Sequence, residues 1–213
     1  MSAQNAKGQT FMDVFVGQLQ RRLGREVELT NLSTDDATTA RVKESLSKDT
    51  EYRASVAGAD VVVVSVGGND SDPFGTYPKG TCAPEQPLTV CLKTYAPGLA
   101  SNYDTILTLI TTLRAGKPTA VRLTSQDNPF VGWAEAPSKQ FGRLFYAQVA
   151  EAETMAAATV ARKHGARLVD YLHVFSGKDG LSDPAKYLAS DHAHPGDKGI
   201  QVIADQLTRL GAS

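Results

Sequence analysis

The run Asp60-Val61-Val62-Val63-Val64-Ser65-Val66, stopped by Gly67-Gly68, constrains the fold of this chain more than any other segment. β-Branched residues are stiff at χ1 and suit a pleated strand, and a strand apolar at successive positions must be covered on both faces. The segment is therefore predicted to be a buried parallel strand. At eight residues, Ala59 to Val66 is also the longest apolar stretch. That is far short of the ~20 residues that span a bilayer, so no integral membrane segment is expected.

Elements alternate around this strand. Gln9 to Leu23 carries Phe11, Val14, Phe15, Leu19 and Leu23 at helical spacing, with Gly24 as its stop. Glu26 to Leu32 alternates like a strand, and Ala37 to Ser47 reads as a short helix. An amphipathic helix from Gly98 to Ala115 ends at Gly116-Lys117-Pro118 and leads to a strand at Thr119 to Thr124. Ser138 to His164 is Ala-rich and helical, Arg167 to Tyr171 is a further strand, and Gly196 to Leu210 is the closing helix. Such alternation implies βαβ units and a mainly parallel sheet. The 213 residues are read as one domain. Two long connections, Ser71 to Pro97 and Ser125 to Pro137, follow strand ends, where open α/β sheets bind ligands.

Lys and Arg number 22 against 23 Asp and Glu, a net charge of −1. Nothing in that balance favours a nucleic-acid partner. The N-terminus has no apolar core of a signal peptide. Yet the two cysteines, Cys82 and Cys91, lie in one Pro/Gly-rich stretch, and a local disulfide is expected to staple it. A disulfide would mean an oxidising compartment and a secreted protein; unpaired thiols would fit a cytoplasmic one.

Two polar sites carry the chemistry. Asp191-His192-Ala193-His194-Pro195 places an acid three residues before an imidazole, ahead of a helix. Pro195 pushes His194 away from helical geometry, Asp191 can bond one ring nitrogen, and the other is left as a general base. A metal held by Asp191, His192, His194 and Asp197 lacks supporting ligands elsewhere, and no metal or cofactor is expected. The second site, Gly67-Gly68-Asn69-Asp70, ends the apolar strand. Its glycines allow close approach to a ligand, and the Asn69 amide could donate to a developing oxyanion.

With both blocks in order, the chain resembles the SGNH hydrolases, the GDSL esterase/lipase family, whose GxND string follows the third strand and whose DxxHP string precedes the last helix. The resemblance covers essentially the whole chain. It implies a three-layer α/β/α, flavodoxin-like fold and a serine hydrolase of carboxylic esters, acting on small-molecule or lipid substrates. On the match Asn69 is the oxyanion-hole Asn, His194 the base and Asp191 its orienting acid.

Two departures stand out. The family's nucleophilic Ser lies in a Gly-Asp-Ser-Leu block after the first strand, and neither that strand nor the block is present. Met1-Ser2-Ala3 looks like the residues that follow such a Ser, so the reading frame is expected to begin upstream. Ser2 has no strand to hold it and is not expected to substitute. In the family's 2-1-3-4-5 order strand one is central, so its loss would leave strands two and three unpaired along facing edges. The second departure is Asp36, where similar segments place a Gly whose N–H completes the oxyanion hole. Its carboxylate would oppose a nearby anion unless it pointed away. The rival reading is an inactive binding module for acyl or carbohydrate ligands. Phe74, Phe130 and Trp133 are candidates to line an acyl pocket.

Overall fold

Val61–Val64 forms a strand, β1, and it sits beside Ala120–Thr124 (β2), which in turn pairs with Arg167–Val169 (β3). Both pairings are parallel, with Val61 opposite Ala120 and Leu123 opposite Leu168. The computed structural model describes residues 4, 7–71, 88–128, 131 and 143–211. The helices, in chain order, are α1 (Phe11–Leu23), α2 (Thr39–Lys48), α3 (Thr50–Gly58), α4 (Leu88–Arg114), α5 (Arg143–Lys163), α6 (Leu172–Ser176) and α7 (Asp197–Leu210).

Strand alternation sends successive side chains to opposite faces, and each face has its own core. Val62, Val64, Leu123 and Leu168 pack with Leu46 of α2, Val56 of α3, Ile106 and Ile110 of α4 and Val160 of α5. Val61, Val63 and Val169 pack with Phe15 and Leu19 of α1, Phe175 of α6 and Ile203 and Leu207 of α7. The result is the expected α/β/α arrangement. α1 itself is fixed at both ends. Thr10 and Asp13 form a reciprocal capping box, and Gly24 closes the helix at φ 62°.

Glu26 to Leu32 departs from expectation: it joins no strand. The alternation survives as half-buried Val27, Leu29 and Leu32 among exposed neighbours, but among the described residues no strand lies alongside to take its backbone groups. α4 is also longer than its periodicity predicts. The chain is helical through Pro97, so residues 88–97, expected to be loop, belong to this helix. Tyr95 repays the irregularity by burying its ring and bonding Glu153 of α5. Proline ordinarily breaks a helix, yet here Pro97 lies inside one. The short α3 and α6 carried no periodic signal long enough to read.

Candidate active site

The turn after β1 is built by close approach. Gly67 sits at φ 135°, and a Cβ there would lie 2.5 Å from the Tyr103 hydroxyl, which donates to the Val66 carbonyl at 2.5 Å. Gly68 is less crowded: a Cβ there would lie 3.1 Å from Gln126 Oε1. Gly67 is therefore required by space as well as by backbone conformation. Gly68–Ser71 continues as one 3₁₀ turn that presents Asn69 and Asp70 in different directions.

Asp70 turns inward and accepts from the Thr39 backbone N–H at 2.8 Å and from its hydroxyl at 2.5 Å. Burial raises the Asp70 pKa, against the lowering effect of these two bonds. Asn69 stays at the surface of the turn, and its Nδ2 donates to the Ala37 carbonyl at 3.2 Å. One amide hydrogen thus ties the turn to the loop carrying Asp36, and Nδ2 bears a second. Asp36 has φ 55°, the left-handed region in which glycine is favoured.

Across the cavity stands His194. Its Nδ1 lies 2.7 Å from Asp191 Oδ2, while Asp191 Oδ1 accepts from the backbone N–H groups of Ala193 and His194, each at 3.0 Å. Partial burial would raise the Asp191 pKa, but the two backbone N–H groups and the His194 imidazole outweigh it and hold the carboxyl below the ordinary range. Facing a carboxylate, Nδ1 carries the proton, and the Nε2 lone pair remains for a base. The loop is held by an antiparallel bridge between Leu188 and Pro195 and by the Ala189 N–H donating to the His194 carbonyl. Gly196 and Gly199 let α7 start tightly: a Cβ on Gly196 would meet the Leu188 carbonyl oxygen, and one on Gly199 the Tyr187 carbonyl oxygen.

Asn69, Asp36 and His194 line a single cavity of about 1840 Å³, together with Gln126 and Asp127 at the end of β2. Phe74, Phe130 and Trp133, and the Cys82–Cys91 pairing, lie outside the residues and side chains the structure describes. Below the turn, Glu153 is 4% exposed and burial pushes its pKa to about 8; burial likewise lifts Asp127 to about 7. Neither carboxyl lies in a recognisable sequence block, because only the tertiary fold brings Glu153 against Ser71 and Asp127 near His194.

A second Asp-x-x-His pair, Asp170 and His173, has the same spacing in the sequence. His173 Nδ1 lies 2.6 Å from Asp170, but its Nε2 meets Glu151 at 3.0 Å. Burial opposes protonation, yet the two carboxylates raise its pKa, and with both nitrogens occupied it has no lone pair to act as base. Nearby Ser125 is 2% exposed, and its Oγ accepts from the Tyr171 and Leu172 backbone N–H groups. It holds the start of α6 and faces Asp170, not an imidazole. Among the described residues, no serine, threonine or cysteine side chain hydrogen-bonds His194, and no group of three or more His, Cys, Asp or Glu could hold a metal ion. No helix among them is long and apolar enough to cross a membrane.

A parallel sheet is thus covered by helices, and an Asp–His pair and an Asn-bearing turn meet at one cavity. The sequence matches the GDSL-like lipase/acylhydrolase family over residues 2–202, and the chain belongs to that family. No curated protein sequence matches it. Among solved structures it is similar to the lipase Lip_vut3 from a goat rumen metagenome, at 20% identity over 99% of this chain and 91% of that one, with a TM-score of 0.77. It is also similar to Axe2, an acetylxylan esterase from Geobacillus stearothermophilus, at 18% identity over 96% and 82% of the two chains, with a TM-score of 0.65. LAE5, an α/β hydrolase enzyme from the Lake Arreo metagenome, matches at 19% identity over 95% and 81%, with a TM-score of 0.61.

Proposed function

We propose that this chain carries the base, the orienting acid and the oxyanion donor of a serine-type carboxylic ester hydrolase, and that the nucleophilic Ser comes from a strand outside the 213 residues. The observation carrying the reading is that His194, oriented by Asp191 at 2.7 Å, and Asn69 line the same cavity at the C-terminal end of β1. One solved form of Axe2, described as a catalytic mutant, replaces a serine by alanine. That supports a serine mechanism for the relative and, by family membership, for this chain.

In the reaction, the Ser hydroxyl oxygen bonds to the ester carbonyl carbon while His194 Nε2 takes its proton. The carbonyl π electrons move to oxygen, and the resulting anion accepts from Asn69 Nδ2–H and from the Asp36 backbone N–H. Collapse breaks the acyl–oxygen bond and releases the alcohol, which leaves with the proton held by His194. Water then adds to the acyl-enzyme through the same base, releasing the acid and restoring Ser. Substrates of this class range from lipid esters to acetylated carbohydrates.

The test supplies the missing group. The chain is extended before Met1 by an apolar strand and a Gly-Asp-Ser block, with Ala in place of that Ser as control, and p-nitrophenyl acetate hydrolysis is measured. Turnover is expected with Ser and lost with Ala and with His194→Ala. Turnover persisting in His194→Ala would overturn the mechanism. If the extended protein binds esters without turning them over, the chain is a binding module.

A further inference from the structure

We propose that Glu153 is a positioning residue for the oxyanion donor: as a neutral acid it donates to the Ser71 hydroxyl, whose own hydrogen is thereby kept on the Gly68 carbonyl, closing the turn around Asn69. The relay stands on hydrogen-bond geometry, and only its bearing on an oxyanion rests on the hydrolase reading.

Counting hydrogens assigns the donors. Glu153 of α5 is buried beneath the turn and meets two hydroxyls, those of Tyr95 in α4 and of Ser71. Tyr95 donates to Glu153 Oε1. Ser71, also buried, donates to the Gly68 carbonyl at 3.0 Å, a bond that spans Asn69 and Asp70 within the 3₁₀ turn. A hydroxyl has one hydrogen, so with that of Ser71 on Gly68, the contact between Ser71 and Glu153 takes its hydrogen from the carboxyl. Protonated Glu153 can supply it while still accepting from Tyr95. Ionised Glu153 can only accept; it would draw the Ser71 hydrogen to itself, and Gly68 would lose this bond.

The surroundings keep that proton in place. The titratable groups facing Glu153 are Asp70 of the turn, Asp127 at the end of β2, Tyr95 and Tyr103 of α4, and Tyr171 before α6. All are acids. Burial, and after it the charges of Asp70 and Asp127, lift the Glu153 pKa to about 8 against the lowering effect of the Tyr95 and Ser71 bonds. The three tyrosines are pushed well above their ordinary range by burial and stay neutral there. The turn is therefore closed at neutral pH and released as pH rises through about 8.

Glu153→Gln mimics the neutral acid, because its amide carbonyl can accept from Tyr95 and its NH₂ can donate to Ser71. Ser71→Ala removes the hydrogen that reaches Gly68.

The test follows the Gly68 carbonyl carbon of the isotope-labelled chain by NMR from pH 6 to pH 10. An upfield step with its midpoint at about 8 is expected, since the carbonyl loses a donor. In Glu153→Gln the step should vanish with the signal held at its neutral-pH position. In Ser71→Ala it should vanish with the signal at the alkaline position throughout. Asp127→Asn, which removes a neighbouring charge, should keep the step and move it to lower pH. A flat wild-type profile, a step that survives in Glu153→Gln or Ser71→Ala, or its loss in Asp127→Asn would overturn the relay. The measurement involves no ester turnover, so the relay can fail while the hydrolase reading holds, and hold while that reading fails.

Discussion

Asp70 holds Thr39 by two atoms, accepting at 2.8 Å from its backbone N–H and at 2.5 Å from its hydroxyl. Thr39 is fully buried at the start of α2, so this pair fixes the loop bearing Asp36 against the turn bearing Asn69. Asp70 thus acts on the site through position, without facing the cavity chemistry itself.

Replacing Asp70 by Ala leaves both Thr39 donors buried without their acceptor. A loss of about 2–4 kcal/mol is expected in urea unfolding, with Asp70→Asn costing less because one acceptor survives.

Glu153 makes stability depend on pH. Its pKa in the folded chain, about 8, lies above the ordinary 4.5, so the folded chain retains a proton that the unfolded chain releases. Stability therefore falls as pH rises from about 4.5 to about 8, by up to about 1.4 kcal/mol per pH unit, and levels beyond. Glu153→Gln should flatten this slope, as measured by unfolding at pH 5, 6, 7 and 8.

Asp36 occupies a left-handed conformation with φ 55°. Asp36→Gly should stabilise the chain by up to about 1 kcal/mol and, on the proposed oxyanion role of its backbone N–H, raise kcat in the Ser-bearing extended protein by removing a negative charge from that loop. Thermal unfolding and p-nitrophenyl acetate kinetics read the two effects separately.

Gly67 has neither the backbone freedom nor the space for a side chain, given φ 135° and the Tyr103 hydroxyl. Gly67→Ala is expected to destabilise by about 2 kcal/mol or more. Displacement of the Tyr103 ring should accompany it in near-ultraviolet circular dichroism.

Asp191→Asn tests the orientation of the base. In the extended protein it should lower kcat by about 10³–10⁴-fold, because the amide no longer holds the proton on Nδ1. The unfolding midpoint should move little, since both side chains are about half exposed.

The candidate site was legible in sequence because its residues sit in short blocks: Gly67 to Asp70 ends an apolar strand, and Asp191 to Pro195 precedes a helix. His173 shows the limit of that signal. It has the same spacing from Asp170, and only its contact with Glu151, distant in sequence, separates it from His194. Glu26 to Leu32 shows the corresponding limit for the fold. Alternation states which side chains prefer burial, but a strand exists only if a neighbour takes its hydrogen bonds.

Local sequence alone determined the helical and apolar periodicities, the glycine turn after β1 and the Asp191–His194 pairing, since each depends on residues within a few positions. Tertiary structure decided what lies far apart in the chain. It seated Asp70 on Thr39, placed Glu153 under the turn, joined Asn69 and His194 at one cavity, and left Glu26 to Leu32 with no strand beside it among the described residues. The reason is physical: burial and hydrogen-bond completion are properties of the assembled layers, and no window of sequence contains both partners.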